Sequence, residues 1–145
     1  MLKVSPNILD EIGDACTRVN LSYAIFAKNH QINANELAIL YTLWISDFAT
    51  QKHIADKYHL AKQTIHTLCK KYEADGIIVI QSSDNDKREK ILSLTDKGKA
   101  FAKPIIEPLL NLEQKIIDEF GDEQMLLLLK QMQNLQTLMA NYLES

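Results

Sequence analysis

The chain has 145 residues, 46% of them hydrophobic and 24% charged, with a net charge of −3. That length suits one domain able to bury about two-thirds of its unfolded surface, and the composition is that of an ordinary soluble globular protein. No apolar run approaches the ~20 residues that span a bilayer. The opening MLKVSPNILDEIGDAC lacks the apolar core of a signal peptide, and Cys16 and Cys69 are too far apart for a CxxC pair. These features point to a cytoplasmic chain with reduced thiols and argue against export or a disulfide scaffold.

Charge is spread unevenly. Residues 50–103 hold ten lysines and Arg88 against seven acids, a local +4, while the remainder carries five basic and twelve acidic residues, a net −7. A basic middle inside an acidic frame points to a localised polyanion contact.

In chain order, Ser5-Pro6 offers a capping hydroxyl and a first-turn proline. Leu9, Ile12, Cys16, Val19, Tyr23 and Phe26 follow at alternating spacings of three and four, which predicts a helix to about Lys28 with one apolar stripe. From Asn35, NELAILYTLWIS predicts a short, mostly buried helix. Thr50 suits the N-cap of TQKHIADKY, with Ile54, Ala55 and Tyr58 facing inward. After HLA comes a second helix, KQTIHTLCKKYEADG. Its apolar face holds Ile65, Leu68, Cys69 and Tyr72; its polar face holds Lys62, Gln63, His66, Thr67, Lys70 and Lys71, with no acid among them. Gly76 suits the left-handed residue that ends such a helix. Two helices joined by a tight turn, the second with a basic face, describe a helix-turn-helix.

IIVIQ and ILSL predict two strands, at residues 77–81 and 91–94, separated by SSDNDKREK, nine polar residues and too many for a tight turn. A helix-turn-helix followed by such a hairpin is a winged helix. Thr95 then caps a long helix that Pro104 and Pro108 should bend or interrupt, and Gly121-Asp122 marks a break. The last helix carries Met125, Leu128, Met132, Leu135, Met139 and Tyr142 at spacings of three and four, widened by Leu126, Leu127, Leu129, Leu138 and Leu143. Both terminal helices have more apolar face than a small winged helix can cover. Packing on a second copy resolves this, with Leu9, Ile12, Val19, Leu128, Met132, Leu135, Met139 and Tyr142 in the seam.

Across residues 50–100 the sequence resembles the MarR family of bacterial winged helix-turn-helix transcriptional regulators. The resemblance is carried by the IA of the first helix, by KQTIHTLCKKYEADGI with Glu73 and Gly76, by the DKR of the wing and by LSLTDKG. It implies a mainly α homodimer, with residues 1–33 and 96–145 forming a helical dimerisation region and residues 34–95 a winged helix that reads a pseudo-palindromic operator in double-stranded DNA. It places Gln63, Thr64, His66 and Thr67 at the major groove and Arg88 in the adjacent minor groove, with Asp86 steering the guanidinium. Thr50, Gln51, Lys62, Lys70, Lys71 and Lys87 complete the expected DNA contacts. A narrow minor groove concentrates negative potential, and guanidinium sheds water more readily than ammonium does. The chain departs from the family at Tyr72, where leucine is common, at Ala61, where Asp or Ser is common, and at Ile80, where arginine is common.

The resemblance also implies a small aromatic or anionic effector held between the dimerisation helices and the winged helix, with Tyr23, Phe26, His30, Tyr41 and Trp44 as lining residues. The expected function is a ligand-responsive repressor that occludes a promoter. A winged-helix module that binds an acidic protein without DNA is the alternative. His53 and His59 lack i,i+4 spacing, and no cysteine joins the histidines at ligand spacing, so no metal site is expected. With no Gly-rich phosphate loop, no GxSxG and no acid–histidine cluster, neither an enzyme nor a cofactor is expected. Cys16 and Cys69 both read as core thiols.

Overall fold

The computed structural model describes residues 3–86 and 88–145. Among them the chain forms α1 (Ile8–Asn29), α2 (Ala34–Ser46), β1 (Phe48–Thr50), α3 (Gln51–Tyr58), α4 (Lys62–Ala74), β2 (Ile78–Ser82), β3 (Lys90–Leu94), α5 (Asp96–Phe120) and α6 (Asp122–Leu143). The expected mainly α winged helix is what the structure shows. The chain divides into two units, one up to Ile106 and one from Glu107 onward.

In the first unit the core is built where the apolar periodicities converge. Ile39, Leu40 and Leu43 of α2, Ile54 of α3, Ile65 and Cys69 of α4, and Leu92 of β3 are all essentially inaccessible. α1 starts three residues after Ser5, whose carbonyl accepts from the Ile8 N–H at 3.1 Å, so Ser5-Pro6 forms a turn ahead of the helix and not its first turn. α2 begins one residue before the expected Asn35. Asn33 and Glu36 form a reciprocal capping box there, with Glu36 N–H donating to Asn33 Oδ1 at 2.8 Å and Asn33 N–H donating to Glu36 Oε1 at 3.2 Å. Thr50 caps α3 as expected, its Oγ1 accepting from the His53 N–H at 3.0 Å.

The sheet differs from the two-stranded wing read from the sequence. β1 adds a third strand, giving the order β1-β3-β2, all antiparallel. Ala49, Leu92 and Ile80 line up across the sheet on the face turned to the core. Ile80 is half-buried on that face, where its side chain adds to the apolar packing.

α5 is anchored by a knot of short contacts. Thr95 Oγ1 accepts from the Gly98 N–H at 2.9 Å and donates back to the carbonyls of Gly76 and Ile77. Lys97 Nζ donates to the Asp75 carbonyl at 2.7 Å, at the end of α4. The backbones approach so closely that a Cβ on Gly98 would lie 1.9 Å from the Ile77 oxygen. The Leu-Thr-x-x-Gly pattern is thus a steric and hydrogen-bonding requirement for joining wing to helix.

Pro104 and Pro108, expected to bend or interrupt the helix, do not interrupt it: α5 is continuous from Asp96 to Phe120. Each proline removes only its own N–H bond. Both lie on the exposed face, away from buried Ile105, Ile106 and Leu109, so the freed carbonyls of Ala100 and Pro104 meet water.

In the second unit, Gly121 (φ 101°) separates α5 from α6 as expected. No residue of α6 is buried. Leu126, Leu127, Leu128 and Leu129 are all exposed, and the last turns of α5 expose Leu112, Ile116 and Phe120 at every fourth position.

Candidate nucleic-acid interface

The turn between α3 and α4 is made by His59 in a left-handed conformation (φ 53°), where the Leu60 N–H reaches the Ala55 carbonyl at 2.9 Å. This sharp reversal sets α4 across α3. Ile65, Cys69 and Tyr72 are buried and Leu68 is half-buried, as their spacing requires. Lys62, Gln63, Thr67, Lys70 and Lys71 are exposed, and Thr64 and His66 are half-buried at the boundary. Gln63 Nε2 lies 3.4 Å from Thr67 Oγ1, so the two form one weakly tied polar pair. Gly76 (φ 75°) closes the helix, as expected. Burial pushes the Cys69 thiol up to about 11, with the Glu73 charge adding to it, which leaves the thiol inert at neutral pH.

The wing hairpin extends one residue further than its apolar pattern, with Ser82 paired to Lys90. Its loop folds on itself: the Ser83 N–H donates to the Glu89 carbonyl at 3.0 Å, and the Glu89 N–H to the Asp86 carbonyl at 3.0 Å. The Asp86 carboxylate accepts from the backbone N–H of Arg88 at 2.9 Å. The described bond of this carboxylate is therefore to the backbone of Arg88, where it fastens the turn that carries the arginine. Lys87 lies outside the described residues.

Between the wing and the helix-turn-helix lies a cleft of about 460 Å3. Lys52, Lys62, Arg88 and Lys90 bring cations to it, Asp86 and Glu89 bring acids, and Thr50 and Gln51 bring neutral polar groups. Lys52 is paired with Asp56 at 2.7 Å, which raises the lysine pKa and lowers that of the aspartate, through their hydrogen bond first and their charge second. Among the described residues Lys62 and Arg88 have no ion-pair partner. The other two α4 lysines do: Lys70 lies 3.7 Å from Glu73, and Lys71 3.7 Å from Glu36. Lys52 and Lys90 were not singled out from the sequence, although both belong to its basic stretch.

Of the residues expected to line an effector cavity, Phe26 and His30 stack with ring centroids 4.2 Å apart, and His30 Nδ1 lies 2.9 Å from the Phe26 carbonyl. Tyr23 is exposed; Tyr41 and Trp44 are half-buried. Of the expected seam residues, Leu9, Val19, Leu128, Met139 and Tyr142 are exposed, while Ile12, Met132 and Leu135 are half-buried.

Residues 22–105 match the family described as Transcriptional regulator SarA/Rot. No curated protein sequence matches the chain. Among solved structures, NMB1585, a MarR family regulator from Neisseria meningitidis, is 33% identical, with 95% of this chain and 97% of that one covered and a TM-score of 0.86. Reduced AbfR bound to DNA is 22% identical over 92% of this chain and 95% of that one, with a TM-score of 0.70. NadR in complex with 4-hydroxyphenylacetate is 20% identical over 93% and 97%, with a TM-score of 0.73. The last two share the fold. The stretch matched by the family description contains the whole cleft and all of α4, and the likeness to NMB1585 runs nearly end to end: the chain belongs to the MarR and SarA/Rot family of winged-helix transcriptional regulators.

Proposed function

We propose that the chain binds double-stranded DNA sequence-specifically as a homodimer in the cytoplasm, and that it represses transcription by covering a promoter. The observation that carries this reading is the cleft in which Lys62 and Arg88 have no ion-pair partner among the described residues, beside the exposed Gln63, Thr67, Lys70 and Lys71 of α4. Cations not tied up in an ion pair attract phosphate without first breaking one. In this reading Gln63, Thr64, His66 and Thr67 meet base edges in the major groove, and Arg88 enters the minor groove beside it. Lys62 contacts phosphate, together with Thr50, Gln51, Lys70, Lys71 and Lys87. AbfR, solved on DNA, supports the mode of use.

The same reading assigns residues 1–33 and 96–145 to dimerisation and residues 34–95 to DNA. The exposed apolar faces of α1 and α6 support a second copy as their cover. It also assigns a small aromatic or anionic effector to the neighbourhood of Tyr23, Phe26, His30, Tyr41 and Trp44, supported by the NadR complex with 4-hydroxyphenylacetate. Selecting genomic fragments that bind the purified chain, then titrating one of them against salt, tests the core of this reading. A shared palindromic sequence and an affinity falling steeply with salt are expected. Fragments without a common sequence, or binding indifferent to salt, would refute it.

A further inference from the structure

The capping box of α2 does more than end a helix. Glu36 spends Oε1 on the Asn33 N–H, and its other oxygen, Oε2, accepts from the Tyr72 hydroxyl at 2.8 Å. Lys71 Nζ lies 3.7 Å from the same oxygen. Glu36 is only 8% exposed and Tyr72 3%. The Tyr72 ring is in turn held edge-on by Phe101 of α5, with centroids 6.1 Å apart. Burial, and then the Glu36 hydrogen bond, push the Tyr72 hydroxyl well above the usual tyrosine range. A buried, directional bridge therefore joins the first turn of α2 to the last turn of α4, across 36 positions of sequence.

The rest of α4 is held less directionally. No side chain caps its N-terminus, and Ile65 and Cys69 contribute apolar contacts, which tolerate small rotations. A hydrogen bond weakens steeply off its axis, so it resists them. The lever arm makes this matter. A helix with side chains is about 5–6 Å in radius, so turning α4 by about 10° moves a side-chain tip by about 1 Å. One ångström is enough to lose a base-edge hydrogen bond. Phosphate attraction, which varies over a screening length of about 8–10 Å, hardly changes.

We propose that the Glu36–Tyr72 bridge is a positioning device that sets operator specificity, fixing the rotation at which α4 presents Gln63, His66 and Thr67 to the bases. The proposal rests on the reading of α4 as the helix that enters the major groove. Lys71 belongs to the bridge, where it balances the carboxylate.

Tyr72→Phe keeps the ring and its packing on Phe101 and deletes the hydroxyl. Glu36→Gln keeps an oxygen for Asn33 and supplies an amide that donates to the Tyr72 hydroxyl, so it preserves the bridge. Glu36→Ala removes the bridge from the other side. The full-length variants are compared on the selected operator and on a scrambled duplex of equal length at one salt concentration, and by amide hydrogen exchange without DNA. In Tyr72→Phe and Glu36→Ala the operator-to-scrambled affinity ratio should fall about tenfold, the worth of one good hydrogen bond. In Tyr72→Phe scrambled binding and the salt slope should stay unchanged, whereas Glu36→Ala also frees Lys71 and should raise both. Amides of α4 should exchange faster while those of Ile39–Leu43 keep their protection, and Glu36→Gln should keep the wild-type affinity ratio and exchange while, like Glu36→Ala, it frees Lys71. If wild type discriminates the two duplexes and Tyr72→Phe does so equally well, or loses affinity for both alike, the bridge does not set specificity. A wild-type chain that fails to discriminate removes the DNA reading and this proposal with it.

Discussion

Arg88 and Asp86 show how little charge alone decides. The Asp86 carboxylate accepts a backbone N–H, so its job is geometric, and an amide oxygen can do that job equally well. Asp86→Asn should bind operator about as tightly as wild type, while Asp86→Ala should bind more weakly even though it removes a negative charge beside DNA. Arg88→Lys keeps the charge but must shed a more tightly held water shell to enter a narrow groove. A loss of about 1–3 kcal/mol per half-site is expected, as for one good base contact. Equilibrium binding at fixed salt decides the matter. Tighter binding by Asp86→Ala, with Arg88→Lys unchanged, would mean that simple charge screening governs the loop.

At the scale of elements, the two ends of the winged helix are fastened differently. The α5 end is steric: Gly98→Ala drives a Cβ into the Ile77 carbonyl and should destabilise the chain by more than about 3 kcal/mol, beyond the ordinary range for one substitution. Gly13→Ala in α1, where a Cβ meets nothing, should instead gain about 0.5–1 kcal/mol. Urea denaturation of both variants checks the contrast. The lysines of α4 divide in the same spirit. Lys62→Ala should lower the salt slope by about one phosphate contact, whereas Lys70→Ala and Lys71→Ala should lower it less, since each ammonium already has a carboxylate 3.7 Å away. Equal slopes for all three would contradict that division.

These elements also show what a sequence can disclose. Helix-turn-helix, wing and terminal helices were legible because each is a local pattern of spacing, caps and breakers, as at Thr50, Gly76, Thr95 and Gly121. β1 was not, since three residues carry too little alternation and acquire strand character only by pairing with β3. The Glu36–Tyr72 bridge was invisible for a related reason: no local rule joins residues 36 positions apart. The continuity of α5 through its prolines was not legible either, because their cost depends on which face of the helix they occupy, and that face is set by packing.

For the molecule as a whole, the decisive fact is the apolar surface that one chain leaves to solvent on α6 and on the last turns of α5. Leu126 is 68% exposed and Ile116 59%, and large leucine clusters of this kind are rarely left to water. Sedimentation at micromolar concentration should give about twice the 16.5 kDa chain mass. Replacing Leu135 and Met139 together by Glu should yield monomer or aggregate and abolish binding to a palindromic operator. A wild-type chain that stays monomeric at high concentration would contradict the dimer.

The bare N-terminus of α4 has a thermodynamic meaning. Ala61 offers no side-chain oxygen to the amides of the first turn, so the free protein leaves those donors to water. If α4 enters DNA as proposed, a phosphate arriving there would supply both the acceptor and the negative charge that the helix end favours. Folding and binding would then be linked, with stability withheld from the free protein returned as affinity. Ala61→Ser should raise the melting temperature of the free chain, in line with about 1 kcal/mol for a new cap. The same substitution should shrink the further rise that operator produces, because the serine oxygen competes for the amides the phosphate would otherwise take. Thermal melts with and without operator read both quantities, and an upshift with DNA as large as that of wild type would show that the first-turn amides take no part in binding.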